Sequence, residues 1–173
     1  MPKTLWLYWD SGSENASVAN QLCILNLIKN AKAAGYEVKE VNDANAHQFL
    51  PQPTLEKISN AIENAKMRIM PQTKSDFYRL ALISTYGGVY LDSSYFFLED
   101  FTWITEVSKE PTKYFFNRFG DVPKVLMQFH PIEGGPLDWT VDETSNTKAA
   151  WHLAFESNFL AADKDSELVK EWF

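Results

Sequence analysis

The feature that most constrains this fold is an alternation between two hydrophobic periods near the N-terminus. Residues 4–9 (TLWLYW) form a short, unbroken apolar run that stops at Asp10 and Gly12. That is the pattern of a strand buried on both faces and followed by a loop. Residues 15–34 then place Val18, Leu22, Leu25 and Ile28 at helical spacing and close on Gly35. Residues 36–41 (YEVKEV) read as a second strand, and 42–50 as a turn and short helix punctuated by Pro51 and Pro53. Residues 54–66 give a second amphipathic helix. Strand, helix, strand, helix in this order predicts an α/β fold with a mostly parallel sheet flanked by helices, because parallel neighbours need a crossover that a helix supplies.

Further along, Ser75 is expected to cap a helix running to about Tyr86, with Asp76 in its first turn, where the helix dipole favours an acid. Gly87 and Gly88 end that helix, and residues 89–91 read as a buried strand. Residues 113–118, 124–130 and 159–162 are further strand candidates, and 133–146 is polar and turn-rich, the composition of a loop. At 173 residues the chain is long enough for one domain spanning 1–173 with a real core. It stops within an amphipathic pattern, on Trp172 and Phe173, which leaves both a complete and a C-terminally truncated domain open.

Charge and cysteine usage narrow the functional classes. A net charge of -7 with no long basic run argues against a nucleic-acid partner. The single cysteine, Cys23, cannot form an internal disulfide, sits in an apolar helical pattern and reads as packing. No apolar run approaches the roughly 20 residues of a transmembrane helix, and no signal pattern opens the chain. A cytoplasmic location is therefore expected, with peripheral association at a membrane surface left open. Asn15-Ala16-Ser17 fits the glycosylation sequon, but with no secretory signal read in the sequence it reads as a chance match.

The chemistry concentrates in residues 75–94, SDFYRLALISTYGGVYLDSS. Asp76 and Arg79 are three apart, so a helix projects them from one face. Tyr90 and Asp92 are two apart on a strand and point to one side. Asp92 falls at the carboxyl end of a buried parallel strand, where open α/β sheets place their ligands. A carboxylate there, beside the hydroxyls of Ser93 and Ser94, offers hard oxygen ligands for Mg²⁺ or Mn²⁺, and such a cation would bridge a diphosphate. Taken separately, an acid–arginine pair is often a surface ion pair, and two glycines are often a turn. Their order and spacing together argue for more.

This stretch resembles the motif region of the DXD glycosyltransferases with the GT-A fold. The match is to the capsular-polysaccharide-synthesis and mannosyltransferase-like group related to the large clostridial glucosylating toxins. Ser75, Asp76, Arg79, Gly87, Gly88, Tyr90, Leu91 and Asp92 stand where that pattern has Ser-Asp-x-x-Arg followed by Gly-Gly-x-Tyr-Leu-Asp. Residues 5–10 look like the family's first strand, with an aromatic near the nucleotide base, and residues 156–162 look like a later segment with an Asn near the donor. The resemblance implies a single GT-A-like domain that transfers a sugar from a nucleotide-diphosphate donor, a UDP-sugar in the first instance, to a saccharide or related acceptor with retention.

The roles implied are catalytic for Asp76, Arg79 and Asp92, donor-binding for Trp6, Tyr8, Trp9, Tyr90 and Asn158, and metal-binding for Asp92 and Ser94, the cation being Mn²⁺ or Mg²⁺. Tyr8 shares a strand side with Trp6 while Trp9 faces the other way, and the sequence does not choose among these rings. Ser94 stands where a DXD motif has its second acid, and a neutral hydroxyl is the weaker ligand. That departure keeps a second reading alongside the enzyme, a sugar-nucleotide-binding module without turnover. Other motifs carry less. Asp10-Ser11-Gly12-Ser13 is similar to the nucleophile loop of haloacid-dehalogenase-type phosphatases, but Gly12 stands where a second acid is needed. His47, His130 and His152 lack zinc-ligand spacing, and no Lys-Ser/Thr follows Gly134-Gly135-Pro136 to make a phosphate loop.

Overall fold

The computed structural model describes residues 1–64, 71–98, 101–107, 125–131, 153–164, 166 and 169–170. The strand candidate at 113–118 and the loop at 133–146 lie outside them. The chain runs β1 (Thr4–Tyr8), α1 (Val18–Ala33), β2 (Glu37–Val41), α2 (Gln52–Asn64), α3 (Pro71–Tyr86), β3 (Gly88–Leu91), α4 (Thr102–Val107), β4 (Val125–Pro131) and β5 (Leu153–Ala162), with 3₁₀ turns at Ser13–Asn15 and Ala46–Gln48. The strands make one sheet in the order β2-β1-β3-β5-β4. β1 pairs in parallel with β2 and β3, and β5 is antiparallel to both β3 and β4. β5 alone opposes the common direction among these strands, so the sheet is mixed but mostly parallel, as the strand–helix alternation predicts.

Strand alternation sorts the apolar side chains between two cores. Trp6, Tyr8, Tyr90 and Leu160 face α2 and α3 and pack with Ile58, Ala81, Leu82 and Ile83. Leu5, Leu7, Val89, Leu91 and Ala161 face the other way and pack with Ile24, Leu27 and Ala31 of α1 and with Phe101 and Ile104. Helices thus cover both faces, and the unbroken apolar runs of β1 and β3 are what that requires. The chain leaves β1 toward β2 on one side, and β3 pairs on the other. The strand order therefore switches at β1, and the crevice beyond the carboxyl ends of β1 and β3 is where such a sheet holds a ligand.

Two sequence expectations change. Helix α3 is described from Pro71 onward, so Ser75 lies inside the helix and does not cap it, and Asp76 is beyond the first turn. Helix α1 is capped by Ser17, whose hydroxyl accepts from the Asn20 amide at 3.3 Å. It turns Ile24, Leu27 and Ala31 inward, whereas Val18, Leu22 and Leu25 are exposed and only Ile28 of the expected apolar row touches the core. Both sides of α1 are apolar, so spacing alone identifies a helix without saying which face is buried.

The two glycines at the α3–β3 junction are fixed by backbone geometry. Gly87 (φ 69°) donates to Ile83 O at 2.8 Å and ends the helix, and Gly88 (φ 98°) starts the strand. A Cβ at Gly88 would stand 2.6 Å from Thr4 O, and one at Gly87 2.4 Å from the Lys164 amide nitrogen.

Candidate functional site

Arg79 is the centre of the cluster. It is 3 % exposed, and its Nη2 lies 3.0 Å from Asp76 Oδ1, 3.0 Å from Asp92 Oδ1 and 3.1 Å from Ser75 Oγ. Its guanidinium carbon stands 5.0 Å from the ring centroid of Tyr90, a cation–π distance. Two elements, a helix and the strand after it, produce this arrangement. Ser75, Asp76 and Arg79 share one side of α3 at spacings of three and four, Tyr90 points from β3 into the same core, and Asp92 follows directly at the strand's carboxyl end. Tyr90 is buried, and its phenol is pushed well above the usual range by that burial first and by the Asp92 charge second. Its hydroxyl is therefore a donor and acceptor, never a phenolate at neutral pH.

Asp92 opens a turn closed by the Tyr95 amide on its carbonyl at 3.1 Å. Ser93 is buried and donates to Tyr8 O at 3.1 Å, latching the turn onto the end of β1. Ser94 is exposed. Asn158 stands in β5 just before Phe159, the register partner of Leu91, and Asp92 follows Leu91 past the end of that pairing. The β4–β5 ladder is irregular beside it, Met127 pairing with Leu160 and Gln128 with Glu156. Such bulges commonly re-aim side chains near a site.

The three N-terminal rings separate. Trp6 is buried, donates its indole N–H to Gly87 O at 3.0 Å and stacks on Tyr86 with centroids 5.2 Å apart. It belongs to the core and braces the glycine turn. Tyr8 is buried too, stacked on Tyr78 at 4.5 Å and donating to Asp43 Oδ1 at 2.6 Å. Trp9 is half-buried and lines a cavity of about 230 Å³ together with Leu7, Tyr8, Glu40, Asn42 and Ser93. Ser93 is the covalent neighbour of Asp92, so this cavity and the Arg79 cluster meet at the turn after β3.

Several polar residues here escaped the sequence reading. Asp43 accepts from Tyr8 and pairs with Lys74 of α3, tying the end of β2 to the helix that carries Asp76 and Arg79. Asn42 and Asn45 each accept the other's backbone N–H, at 2.9 and 2.8 Å, and shape the cavity wall. The signal was present. Asn42 and Asp43 follow β2 as Asp92 follows β3, and the rule that ligands sit at carboxyl ends of parallel strands applies to both.

As a cation site the cluster is sparse. Among the described residues no group of three His, Cys, Asp or Glu side chains is placed to hold a metal ion. Asp92 supplies one carboxylate, already facing a guanidinium, and Ser94 one exposed hydroxyl. Such a donor set fits a cation shared with a ligand's phosphate oxygens, not one held by protein alone.

Over residues 1–121 the sequence matches the family of capsular polysaccharide synthesis proteins. The chain belongs to this family. The capsular polysaccharide synthesis match takes in β1 through β3 and with them Asp76, Arg79 and Asp92. Among solved structures, one titled PaToxG Glycosyltransferase is similar, with a TM-score of 0.54, 15 % identity, and coverage of 98 % of this chain and 58 % of that one. At that identity the likeness establishes the fold. The chain spans little more than half of that structure's length. No curated protein matches the chain.

Proposed function

We propose that this capsular polysaccharide synthesis family member is a glycosyltransferase that takes a sugar from a nucleotide-diphosphate donor, a UDP-sugar in the first instance, and passes it to a saccharide acceptor. The observation that carries the reading is the convergence of Asp76, Arg79 and Asp92 on one point at the carboxyl edge of β3, beside a cavity opening at the edge of β1. The nucleoside end of the donor enters that cavity. There Trp9 offers a ring face, and Glu40 and Asn42 offer oxygens to base or ribose donors. The diphosphate then lies toward Asp92. Trp6 and Tyr8 support this pocket from the core, which leaves Trp9 as the ring that meets the base.

Asp76 is half exposed at the mouth of the cluster, where it accepts hydrogen bonds from donor-sugar hydroxyls. Arg79 holds Asp76 and Asp92 at one setting, so both carboxylates are fixed before the ligand arrives. Asp92, with Ser94 as the weaker partner, would hold Mn²⁺ or Mg²⁺ jointly with the diphosphate. A cation bound there supplies positive charge to a leaving group that gains negative charge as the glycosidic bond breaks.

The test is a thermal-shift series with UDP-, GDP- and CMP-sugars, each with and without Mn²⁺. A ligand at a hundred times its dissociation constant stabilises by roughly 2.7 kcal/mol, which a melt resolves easily. Asp92→Asn is expected to abolish the Mn²⁺-dependent part of the shift while leaving the unliganded melt close to wild type. The same metal dependence in Asp92→Asn and wild type would remove the metal role. Donor binding without any hydrolysis or transfer would leave a binding module.

A further inference from the structure

The outer side of α1 is built the wrong way round for a helix that faces water. Val18, Leu22 and Leu25 follow one another at spacings of four and three, so they form one stripe, and they stand 75, 59 and 62 % exposed. Asn26, one helical turn on from Leu22, ties a second segment alongside. Its amide donates to Phe97 O at 3.0 Å and accepts from Phe97 N at 2.7 Å. The Phe97 ring turns in onto the core, and its neighbours Phe96 and Leu98 stand 58 and 92 % exposed. Large apolar side chains from two segments thus gather on one face.

The charge on the helical part of this face has one sign. Lys29 continues the stripe four residues after Leu25, Lys32 follows on the next turn, and both are exposed. α1 has no Asp or Glu along its 16 residues, in a chain that carries 23 acidic against 16 basic side chains. Glu99 and Asp100 follow Leu98 in sequence and lie outside the described residues, so the positive charge described on this face is that of α1. Exposed aliphatic and aromatic side chains beside a short row of lysines are the make-up of an interfacial lipid-binding face, and a chain of net charge -7 meets an anionic surface best through an element without acidic residues, as α1 is.

We propose that this face, the outer stripe of α1 together with Phe96 and Leu98, seats on an anionic lipid surface. The apolar side chains enter the headgroup boundary and Lys29 and Lys32 meet the phosphates. Val18 lies just past the turn that leaves β1, so the apolar part sits toward the same sheet edge as Asp92. Seating does not depend on the transfer chemistry, and its failure would leave the proposed activity untouched.

Sedimentation of the chain with phosphatidylcholine–phosphatidylserine vesicles, and with phosphatidylcholine alone, tests this. Wild type is expected to bind the mixed vesicles and to bind the neutral ones more weakly. Lys29→Ala with Lys32→Ala should lower the partition onto mixed vesicles by about thirtyfold. Leu22→Glu with Leu25→Glu should abolish binding to both, with the melt unchanged because these side chains are exposed. If that pair aggregates, Leu22→Gln with Leu25→Gln and the lysine pair decide the matter. A wild type that stays in the supernatant overturns the proposal, and so do leucine variants that bind as wild type does. A wild-type dimer in light scattering that Leu22→Glu with Leu25→Glu turns into a monomer also overturns it, since a second copy would then cover the face.

Discussion

A guanidinium that rests on the Tyr90 ring and reaches both Asp76 and Asp92 cannot be cut away without stripping Asp92 of this positive charge beside a buried phenol. Arg79→Ala should therefore lower stability as well as function. Removing one partner of a fully buried ion pair costs about 3–5 kcal/mol, and since Asp76 and Asp92 are partly exposed the expected loss is nearer ~2 kcal/mol. Arg79→Lys keeps the charge but lacks the planar fork, so it should cost about 1 kcal/mol and still weaken donor binding. Urea melts beside donor titrations check both. An Arg79→Ala protein that melts like wild type but fails to bind donor would make Arg79 a ligand contact alone. The pairing of Asp76 with Arg79 was legible because their spacing is helical, and Asp92 was legible because it ends an apolar strand. The ion pair between Arg79 and Asp92 was not, since it joins residues on two elements whose approach is set by packing through Tyr90. For the same reason nothing local separated Trp6, braced in the core, from Trp9 at the cavity.

Elements that announce themselves by glycine or by alternation were read more securely than those that depend on a face. The β1–α1–β2–α2 order and β3 all stand where the periodicity put them, and β5 extends from Leu153, beyond the 159–162 expected. The inward face of α1 was missed because a helix apolar on both sides gives no directional signal, and the start of α3 because Ser75 looks like a cap in isolation. The glycine junction yields a sharp expectation. Gly88→Ala must hold φ near 98° and push its Cβ into Thr4 O, an atom of the backbone of β1. Strain of this kind and the parting of two paired strands should together cost about 3 kcal/mol or more. A thermal melt of Gly88→Ala within a few degrees of wild type would mean that β1 and β3 can separate slightly without loss.

Across the whole molecule, buried phenols tie stability to alkaline pH. Burial comes first in raising the Tyr8, Tyr78 and Tyr90 hydroxyls, with Asp43 next for Tyr8 and Tyr78 and Asp92 next for Tyr90. Each binds its proton more tightly folded than unfolded, where a phenol titrates near about 10. Their contribution is thus complete below about pH 10 and is lost as the pH rises further. Phenolate absorbance followed with circular dichroism should show part of the tyrosine signal appearing only as the fold is lost. A smooth titration of all 7 tyrosines near the ordinary value, with the fold intact, would contradict this. The sheet order has a consequence for how such a chain is made. β3 is completed on one side by β1, at the start of the sequence, and on the other by β5, which begins at Leu153. At the roughly 5–20 residues per second of synthesis, the nascent chain spends several seconds with the β3 edge made and its second neighbour still inside the ribosome. During that interval Val89, Tyr90 and Leu91 offer a bare apolar ladder to any passing strand. A cell producing this protein quickly therefore has reason to shield it with a chaperone until β5 emerges.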